Sequence, residues 1–526
     1  MINSMLKQMT VRQKAEQTAV LRIPGARFVP DQAGAAFFFG EIITEASDIG
    51  LENGRTLLAQ YQQNAEIPMV ITSDFENGCG SMLKGLTILP YMMSLGAAND
   101  EQLAYDYGKA TALEARSVGA NWTFSPVCDL NTNPRNPLVN VRGMTDDPDL
   151  ACRLLPQIVR GMQDNGLAAC AKHFPGDGVD WRDQHIVTTV NSLSMEEWKQ
   201  QHGRVFQTLI DAGVYSIMAG HISLPAYQKE CVDGMALPAT LSRELITDLL
   251  KGEMGFEGVV VTDAMDMGGF NGWYGSLHQT EIESFKAGCD MMLWPTPEYV
   301  DNLIAAVECG EVPMTRLDDA VSRILRMKEK LGLLGKGKEN GPRALTQADR
   351  EFILDVRRRT ADQSITLLRD EMGLFPMHPE KTKRIAVVPV THHLPAFEEG
   401  ERLCTLLRER GFDMDEYRSG IRDDQQDGYD LILYALFSRP FRPMGFLDFM
   451  GSEAVKVQRA LQAGRDKTLI VSFGSPYFAE QYFERAKTVV NAYSMLAPSV
   501  EGFVRAAMGD VPFTCFSPVR IHRYAQ

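Results

Sequence analysis

The sequence predicts an α/β protein in which an eight-stranded β/α barrel is followed by a smaller α/β sandwich. Eight short apolar runs, rich in β-branched and aromatic residues, recur through the first two-thirds of the 526 residues. Helix-like segments separate most of these runs, which is typical of a parallel sheet covered on both faces. Polar side chains follow several of the predicted strands, where a barrel of this kind builds its active site.

The predicted barrel strands share a nearly continuous apolar character, as expected for strands that are buried on both faces. Eight of them predict closure into a TIM-type (β/α)8 barrel. The first unit is the weakest, because the segment from Ile23 to Gly34 contains no obvious helix. The eight runs are 19–21, 35–39, 68–71, 121–124, 168–171, 214–218, 259–261 and 291–294, and the main helix-like segments are 102–117, 147–165, 194–211 and 242–251.

The composition of the chain changes after the barrel. Residues 335–342 are polar and rich in glycine, which is typical of a linker, and a helix is predicted at 347–364. From Arg384 strands and helices alternate again, which indicates a second, smaller α/β unit. The predicted divisions are 1–335 for a catalytic barrel, 336–380 for a linker and connecting helix, and 381–526 for the sandwich.

The overall composition excludes several classes of partner and location. The net charge of −15, from 53 basic and 68 acidic residues, argues against nucleic acid or an anionic membrane surface as the main partner. No apolar run approaches the roughly 20 residues that a membrane helix needs. The first ten residues lack a signal-peptide pattern, and the nine cysteines form no CxxC pair, so we expect a cytoplasmic protein. The sequence specifies no oligomeric state.

The chemistry is concentrated at the ends of two apolar runs. One run ends in Lys172 and His173 and continues into a Pro-Gly-rich loop that carries Asp183 and His185, while the other ends at Asp263. A carboxylate and a proton donor on opposite sides of a bond can perform a two-step displacement at an anomeric carbon. We expect Asp263 to attack, His185 to act as acid and then base, and Asp183 to orient the His185 ring.

Several of these side chains could have a different role. Four histidine and aspartate side chains, at the end of the first run and on the loop after it, could bind a divalent metal, although no helical spacing fixes their geometry. Asp263 could cap a helix, in which case Asp266 would serve equally well. Cys79 is a conceivable nucleophile without a flanking base, and His221 could either pack in the core or contact substrate. The four potential metal ligands are His173, Asp177, Asp183 and His185.

These motifs resemble those of family 3 glycoside hydrolases, specifically the β-N-acetylglucosaminidase branch in its two-domain form. The run Lys172–His185 resembles the pattern K-H-F-P-G-x-G-x4-D-x-H, and 255–267 resembles the G-F-x-G-x-V-x-S-D-x-x-x-M nucleophile segment. The resemblance extends over nearly the whole chain, in the right order. Further matching segments are 74–78 (D-x-E-G-G), 125–142 (A-P-V-x-D to N-P-x-N-P and R), 287–291, 328–332 and 473–477.

The resemblance implies specific roles. Asp263 would be the nucleophile and His185 the acid/base, with Asp183 as its partner. The terminal sugar would be bound by a second set of residues, and neither a metal nor an organic cofactor would be required. That second set is Asp74, Arg142, Lys172, His173 and Met267. The implied activity is a retaining exo-β-glycosidase, namely a β-N-acetylglucosaminidase that releases terminal N-acetylglucosamine from cell-wall or chitin fragments.

Two alternatives accompany this prediction. Within the family, the chain could be another β-glycosidase or a glycosyl phosphorylase, because an uncharged histidine repels an anionic acceptor less than a carboxylate does. In a different class, it could be a carbohydrate-binding protein that kept the barrel without catalysis. The chain departs from the family pattern at Asp177, at Gln184 and after Gly78, where the usual arginine is absent. These departures leave the sugar and the leaving group undetermined.

Overall fold

The computed structural model describes most of the chain, which contains the alternating strands and helices of an α/β protein. No helix within the described ranges is both long and apolar enough to cross a membrane. The segment between Ile23 and Gly34 falls mainly outside the described residues, as does most of the predicted 335–342 linker. The described residues are 1–23, 33–38, 62, 65–334, 342–392, 396–438, 443–445, 447–462, 465–514 and 516–521.

All eight strands predicted for the first two-thirds of the chain are present. They pair in parallel within two sheets, one of five strands and one of three. Single parallel bridges, Trp122 to Ala168 and Val261 to Met291, connect the edges of the two sheets. The strands are β1 (Ala19–Ile23), β2 (Ala35–Phe38), β3 (Val70–Ser73), β4 (Trp122–Thr123), β5 (Cys170–Phe174), β7 (Ser216–Ala219), β11 (Val259–Thr262) and β12 (Met292–Leu293).

Two short strand pairs lie outside the main sheets in this part of the chain. Strand β6 (Thr189–Val190) pairs with β8 (Ile222–Ser223) in parallel, and β9 (Cys231–Val232) pairs with β10 (Met235–Ala236) in a hairpin. The first pair connects the loop after β5 to the loop after β7, because its two strands belong to those loops.

Most helices of the first 362 residues bury an apolar face in the main core, whereas the first helix, Ile2–Gln8, has no buried residue. Two predictions need correction. The single helix predicted at 194–211 is two helices, because a backbone irregularity at Gln201 interrupts the helical path. The segment predicted as an ordinary helix at 242–251 is a π-type helix, Glu244–Glu253. The α-helices are Ile2–Gln8, Val11–Gln17, Met92–Ala98, Glu101–Ser117, Pro148–Gln163, Met195–Gln200, His202–Asp211, Leu277–Ala287, Tyr299–Glu308, Met314–Lys330 and Gln347–Asp362.

The last third of the described chain is built on one six-stranded sheet. Its strands are β13 (Thr366–Asp370), β14 (Arg384–Val390), β15 (Asp413–Glu416), β16 (Leu431–Phe437), β17 (Thr468–Phe473) and β18 (Thr488–Asn491), and its helices are Ala396–Glu409, Asp423–Gln426, Gly451–Gln462, Phe478–Gln481 and Ala497–Ala507. The strand order is β13-β18-β17-β16-β14-β15, and only the β13–β18 pair is antiparallel.

Separate apolar cores support the two sheet systems. The largest runs from Ala15 to Val356, and another gathers residues from Ile365 to Ala507 on one face of the six-stranded sheet. Strand β13 belongs to the second system, although the sequence places it within the predicted connecting segment 336–380. A small cluster that includes Val141 and Tyr493 joins the two parts, so their surfaces are in direct contact.

Candidate active site

One pocket gathers nearly all of the side chains that the sequence singles out. It has a volume of about 680 Å³ and opens where β3, β5 and β11 end. Residues of the last third, Pro443 and Leu496, line it together with residues of the first two-thirds. Asp183 does not line it, because it lies behind His185. The predicted site residues that line it are Asp74, Arg142, Lys172, His173, His185, Asp263 and Met267.

Asp263 lies at the base of this pocket, directly after β11. The apolar run Val259–Thr262 is fully buried between its neighbours, which places the carboxylate at a fixed point. Its backbone N–H donates to Ala219 O at 2.9 Å, and its Oδ1 accepts the Ala264 N–H at 2.8 Å. The next helix begins only at Leu277 and is capped by Ser276. Asp263 therefore does not cap a helix.

The surroundings keep the Asp263 carboxylate ionised. Burial by itself raises the pKa of Asp263, but the positive charge available at His173, the strongest opposing influence, and at Lys172 outweighs it and lowers the pKa to about 2. Asp266, the competing carboxylate, is 60% exposed and lies 3.9 Å from Arg22. An ionised, enclosed carboxylate is the form that a nucleophile requires.

His173 lies beside Asp263 and is held from behind by Asp129. Its Nδ1 is 2.7 Å from Asp129 Oδ2, and its backbone N–H donates to Asp129 Oδ1 at 3.0 Å. The opposite ring nitrogen, Nε2, is 3.8 Å from Asp263 Oδ2. His173 and Lys172 lie within β5, whereas the sequence places them just after the strand. The pairing of β5 with β7 is irregular between Ala171 and Phe174, so this stretch is held from its other side, where the Lys172 carbonyl accepts the Cys128 N–H at 2.8 Å.

His185 forms a second histidine–aspartate pair on the loop after β5. Its Nδ1 is 2.7 Å from Asp183 Oδ1, and the same oxygen accepts the His185 backbone N–H at 2.8 Å. The other oxygen, Oδ2, accepts the backbone N–H of Met444 at 2.7 Å. Burial raises the pKa of Asp183, but these hydrogen bonds, above all the one with His185, lower it overall. The ring is thus oriented by an ionised partner while Nε2 is left to the pocket.

A network of opposite charges forms another wall of the pocket. Lys172 Nζ is 2.7 Å from both Asp74 Oδ1 and Glu76 Oε1. Arg142 Nε and Nη2 donate to the two oxygens of Glu76 at 2.8 and 2.7 Å, a bidentate pair. Burial alone would lower the pKa of Arg142. The charge of Glu76 outweighs this effect, so the pKa lies above its usual value. Fixed donors and acceptors of this kind can bind the hydroxyl groups of a sugar.

The Pro-Gly loop adopts a backbone that needs its glycines. Gly178 has φ of +97°, and a Cβ there would lie 2.0 Å from the Leu130 carbonyl oxygen. Next to it, Asp177 is buried and accepts hydrogen bonds from Asn136 Nδ2 and the Gly178 N–H, at 2.9 and 2.6 Å. Its own N–H donates to Asp129 Oδ1 at 2.8 Å. Burial, followed by the charge of Asp129, raises the pKa of Asp177 to about 8. The family departure at Asp177 is therefore a buried acid whose surroundings disfavour its charged form.

Gln184, the second departure, fixes the other end of this loop. Its Oε1 accepts the His221 backbone N–H at 2.8 Å, and its carbonyl accepts the Gly269 N–H at 3.1 Å. The carbonyl of His185 accepts the Gly268 N–H at 2.8 Å. These bonds attach the acid/base loop to the segment that follows Asp263.

Cys79 and His221, the two residues with an open role in the sequence, both lie outside the pocket. Cys79 is buried in the apolar core, donates to Thr111 O at 3.5 Å, and burial raises the pKa of its thiol, so it has no nucleophilic setting. His221 is buried, with Nδ1 3.0 Å from Thr240 Oγ1 and Nε2 3.0 Å from Ala264 O, and it supports the Asp263 segment. No group of three or more potential metal ligands exists within the described parts of the chain.

Three functional residues of the site are not predicted by the sequence. Glu76 has a sequence signal only as part of the D-x-E motif, yet it joins Arg142 to Lys172. Asp129 stands in a matched motif that implies no role for it, although it holds His173. Met444 carries no sequence signal, because its contact is made by a backbone N–H that any residue except proline possesses.

Comparisons with known proteins identify similar sequences and solved structures. A family model described as the N-terminal domain of glycosyl hydrolase family 3 matches residues 7–327. A β-N-acetylglucosaminidase/β-glucosidase from Cellulomonas fimi is 32% identical over 485 residues, which are 87% of this chain and 84% of the relative. A solved β-glucoside phosphorylase, BglX, is 30% identical with a TM-score of 0.86, covering 99% of this chain and 95% of that one.

Another solved structure, a family 3 β-N-acetylglucosaminidase from Paenibacillus sp. str. FPU-7, is 26% identical with a TM-score of 0.81, covering 98% of this chain and all of that one. The family model covers more than half of the chain, and the Cellulomonas fimi relative aligns with most of it. This chain therefore belongs to glycosyl hydrolase family 3 and is an enzyme of that family, as the resemblance of its motifs predicts.

Proposed function

We propose that this protein is a retaining exo-β-glycosidase that removes a terminal N-acetylglucosamine from cell-wall or chitin fragments. The observation that carries the proposal is the placement of His185, held by Asp183, in the same pocket as the ionised Asp263. The Cellulomonas fimi relative is named a β-N-acetylglucosaminidase/β-glucosidase, which supports this sugar and also includes glucose. The substrate is a small carbohydrate, and the mechanism requires neither metal nor organic cofactor.

In the first step, an oxygen of Asp263 attacks the anomeric carbon, and the bond from that carbon to the leaving oxygen breaks. The proton on His185 Nε2 passes to the leaving oxygen, while Asp183 stabilises the positive ring before transfer. Lys172, Asp74 and Arg142 hold the hydroxyl groups of the sugar, and His173 lies against the reacting side. Met267 contributes an apolar wall.

In the second step, the uncharged His185 ring takes a proton from the acceptor. The acceptor oxygen attacks the anomeric carbon, and the bond to Asp263 breaks, so that the carboxylate is regenerated. Two inversions at the same carbon leave the product with the β configuration of the substrate. His185 regains its proton, which prepares it for the next cycle.

A second candidate function is phosphorolysis of β-glycosides, in which phosphate replaces water as the acceptor. It is supported by the similarity to the β-glucoside phosphorylase over nearly the whole of both chains. It is also supported by the histidine acid/base, because an uncharged ring does not repel the incoming phosphate as a carboxylate would. The two candidates share every residue assignment and differ only in the acceptor and the sugar.

One experiment tests both candidates. Aryl β-glycosides of glucose and N-acetylglucosamine are incubated with and without inorganic phosphate, and the first-formed product is followed by proton NMR. Release of β-N-acetylglucosamine at a rate independent of phosphate supports the hydrolase. A phosphate-dependent rate with a sugar 1-phosphate product supports the phosphorylase, and formation of an α-configured free sugar would overturn the retaining mechanism.

The finer architecture is part of the same proposal. The parallel order of β12, β1, β2, β3 and β4, then β5, β7 and β11, together with the two single bridges, supports closure into a (β/α)8 barrel. We propose the divisions 1–335, 336–380 and 381–526 for barrel, connection and sandwich, with β13 of the connection completing the sandwich sheet. Limited proteolysis tests them, because cleavage should fall first in the part of the connection before β13 and leave two stable fragments. We also propose a cytoplasmic location.

A further inference from the structure

A second cleft lies between the acid/base loop and the last third of the chain. It has a volume of about 590 Å³ and is lined by Pro134, Arg135, Trp181, Leu447, Gln481 and Tyr482, with Asp448 at its side. It is distinct from the pocket that holds Asp263, because the two share no lining residue.

The cleft offers an apolar ring together with unused hydrogen-bonding groups. Trp181 is 60% exposed, one of the most exposed large apolar side chains in the described part of the molecule. Across the described residues, the Arg135 guanidinium and the Gln481 amide form no side-chain hydrogen bond or ion pair. Tyr482 is held in place by its hydroxyl bond to Asp448 Oδ1. An exposed indole face beside planar polar side chains suits a sugar ring, which has apolar faces and a polar rim.

The cleft lies on the leaving-group side of the reaction. Trp181 is four residues before His185, so the Cα atoms of the two residues are at most roughly 14 Å apart. Leu447 and Asp448 follow Pro443 and Met444 in the chain. Pro443 lines the main pocket, and the backbone N–H of Met444 binds Asp183. The same two segments therefore border both cavities, and His185 faces the leaving oxygen in the proposed reaction.

We propose that this cleft binds the part of an oligosaccharide leaving group that lies beyond its first sugar, with Trp181 stacking on one ring. Arg135 and Gln481 donate hydrogen bonds to its hydroxyl groups. The proposal rests on the proposed function and adds a preference for substrates longer than a disaccharide. It also gives a role in substrate binding to the last third of the chain.

The test compares β-1,4-linked di- and tetrasaccharides of N-acetylglucosamine and of glucose. For the accepted sugar, kcat/KM should rise about 10-fold from di- to tetrasaccharide, as expected for one stacked ring with its hydrogen bonds. Trp181→Ala should remove this rise, and Trp181→Phe should retain part of it. Met235→Ala, an exposed apolar residue on the β9–β10 hairpin, is the control and should keep the wild-type rise.

Two outcomes would overturn the proposed role of the cleft. One is a wild-type enzyme with no preference for longer oligosaccharides, and the other is a Trp181→Ala variant that keeps the wild-type preference. Failure of the proposed function is separate, because it appears as no turnover of aryl glycosides by the wild type. In that case, calorimetric Kd values of the same oligosaccharides, measured with the wild type and Trp181→Ala, still decide whether the cleft binds them.

An independent observation concerns the acid/base pair itself. Asp183 is fully buried, and its Oδ2 accepts the Met444 N–H at 2.7 Å, whereas Oδ1 serves His185. Met444 belongs to the last third of the chain, between β16 and β17. We infer that this backbone donor fixes the orientation of Asp183, and that the last third of the chain therefore positions the acid/base through Asp183.

Met444→Pro removes the N–H, and Met444→Ala keeps it, so the pair isolates the donor. Relative to Met444→Ala, Met444→Pro should lower kcat/KM for a poor leaving group by roughly 10-fold, the worth of one hydrogen bond to a charged group. Activated aryl glycosides should lose less. The basic limb of the pH profile should move upward, because Asp183 without this donor favours the protonated ring more strongly.

Identical pH profiles and leaving-group dependence for the two variants would overturn the inference. If Met444→Pro does not fold, amide hydrogen exchange tests the inference instead. The Met444 amide should be protected in the wild type and exchange faster in Asp183→Ala, with unchanged exchange in β17. Unchanged protection of Met444 in Asp183→Ala would count against it.

Discussion

Two histidine–aspartate pairs flank the pocket around Asp263, and their chemistry is the same while their settings differ. In each pair the histidine Nδ1 is 2.7 Å from an aspartate oxygen, and the aspartate is fully buried. His173 lies within β5 and is 4% exposed, with Nε2 3.8 Å from Asp263. His185 lies on the loop after β5 and is 19% exposed at the pocket. In the proposed mechanism, the histidine on the strand lies against the nucleophile, and the histidine on the loop faces the leaving group.

In the proposed mechanism the two histidines differ in role because of their positions, since each has a buried aspartate as its partner. Asp129 also binds the backbone N–H groups of His173 and Asp177, so the first pair is part of the core. Asp183 is instead completed by Met444, from another part of the chain. The first pair should therefore affect stability and sugar binding, and the second should affect proton transfer.

Removing the group that both pairs face should have the largest effect. Asp263→Ala should lower kcat/KM on the order of 10⁵-fold while leaving the fold intact, because Asp263 forms the covalent intermediate in the proposed mechanism. A 2-fluoro glycoside that traps the intermediate should label Asp263 in the wild type, as read by peptide mass spectrometry. A label on Asp266, Glu76 or Asp74 would assign the nucleophile elsewhere.

Exchanging the two histidines for alanine should separate their roles. His185→Ala should slow substrates with poor leaving groups by about 10³-fold and activated aryl glycosides much less, because only the former need a proton. His173→Ala should slow both kinds of substrate similarly, since it contacts the reacting side. The measurement is a plot of log kcat/KM against leaving-group pKa for each variant. Parallel plots for the two variants would remove the distinction.

Changing the two aspartates compares the histidine–aspartate pair in the core with the pair on the loop. Asp183→Asn should cost about 10²-fold on poor leaving groups, a smaller defect than His185→Ala. Asp129→Asn should lower the free energy of unfolding by about 3 kcal/mol, the usual loss when one partner of a buried ion pair is removed. Urea denaturation and the kinetic assay give the two quantities for both variants, and equal losses of stability would contradict the comparison.

The pH dependence of that stability follows from the sign of the shift. Burial raises the pKa of Asp129, but the charge of His173 lowers it overall. A lowered pKa adds stability above the unfolded value of about 3.9, and this is lost as the pH falls below it. Wild-type stability should therefore fall on acidification in this range, and Asp129→Asn should flatten the curve.

Asp177, which binds Asp129 through its backbone N–H, should give the smallest effect. Its raised pKa, about 8, means that the folded state holds a proton between roughly pH 4 and 8 that the unfolded state loses. Its stabilising contribution is therefore present at low pH and is lost as the pH rises through this range. Asp177→Asn keeps the acceptor oxygen and has no charge, so it should raise Tm by about 2 °C or more at pH 8.

This gain from Asp177→Asn should shrink steadily toward pH 4. Differential scanning calorimetry of both proteins at several pH values measures it. Parallel curves of Tm against pH for the two proteins would mean that Asp177 is ionised in the folded protein and that its neighbours stabilise this charge.

Much of this molecule could be predicted from local sequence. The apolar runs predict β7 and β11 closely, because a strand buried on both faces leaves a continuous apolar signal. Residues Asp263 and His185 could be named because they follow such runs or share a motif. Strand β15, Asp413–Glu416, could not be predicted, because its alternating charged residues belong to an exposed edge. The break at Gln201 also lacks a clear signal, because the nearest glycine, Gly203, lies inside the second helix and not at the break.

By itself the sequence determined the alternation of strands and helices, the chemical types at their ends, and the family to which the chain belongs. Those properties depend on residues that are close in the chain, so local patterns carry them. Only the tertiary structure decided that Glu76 joins Arg142 to Lys172, and that Asp129 lies behind His173. It also decided that the Met444 N–H completes Asp183 across 261 residues. A backbone donor is common to almost every residue, so only folding selects which one reaches the buried carboxylate.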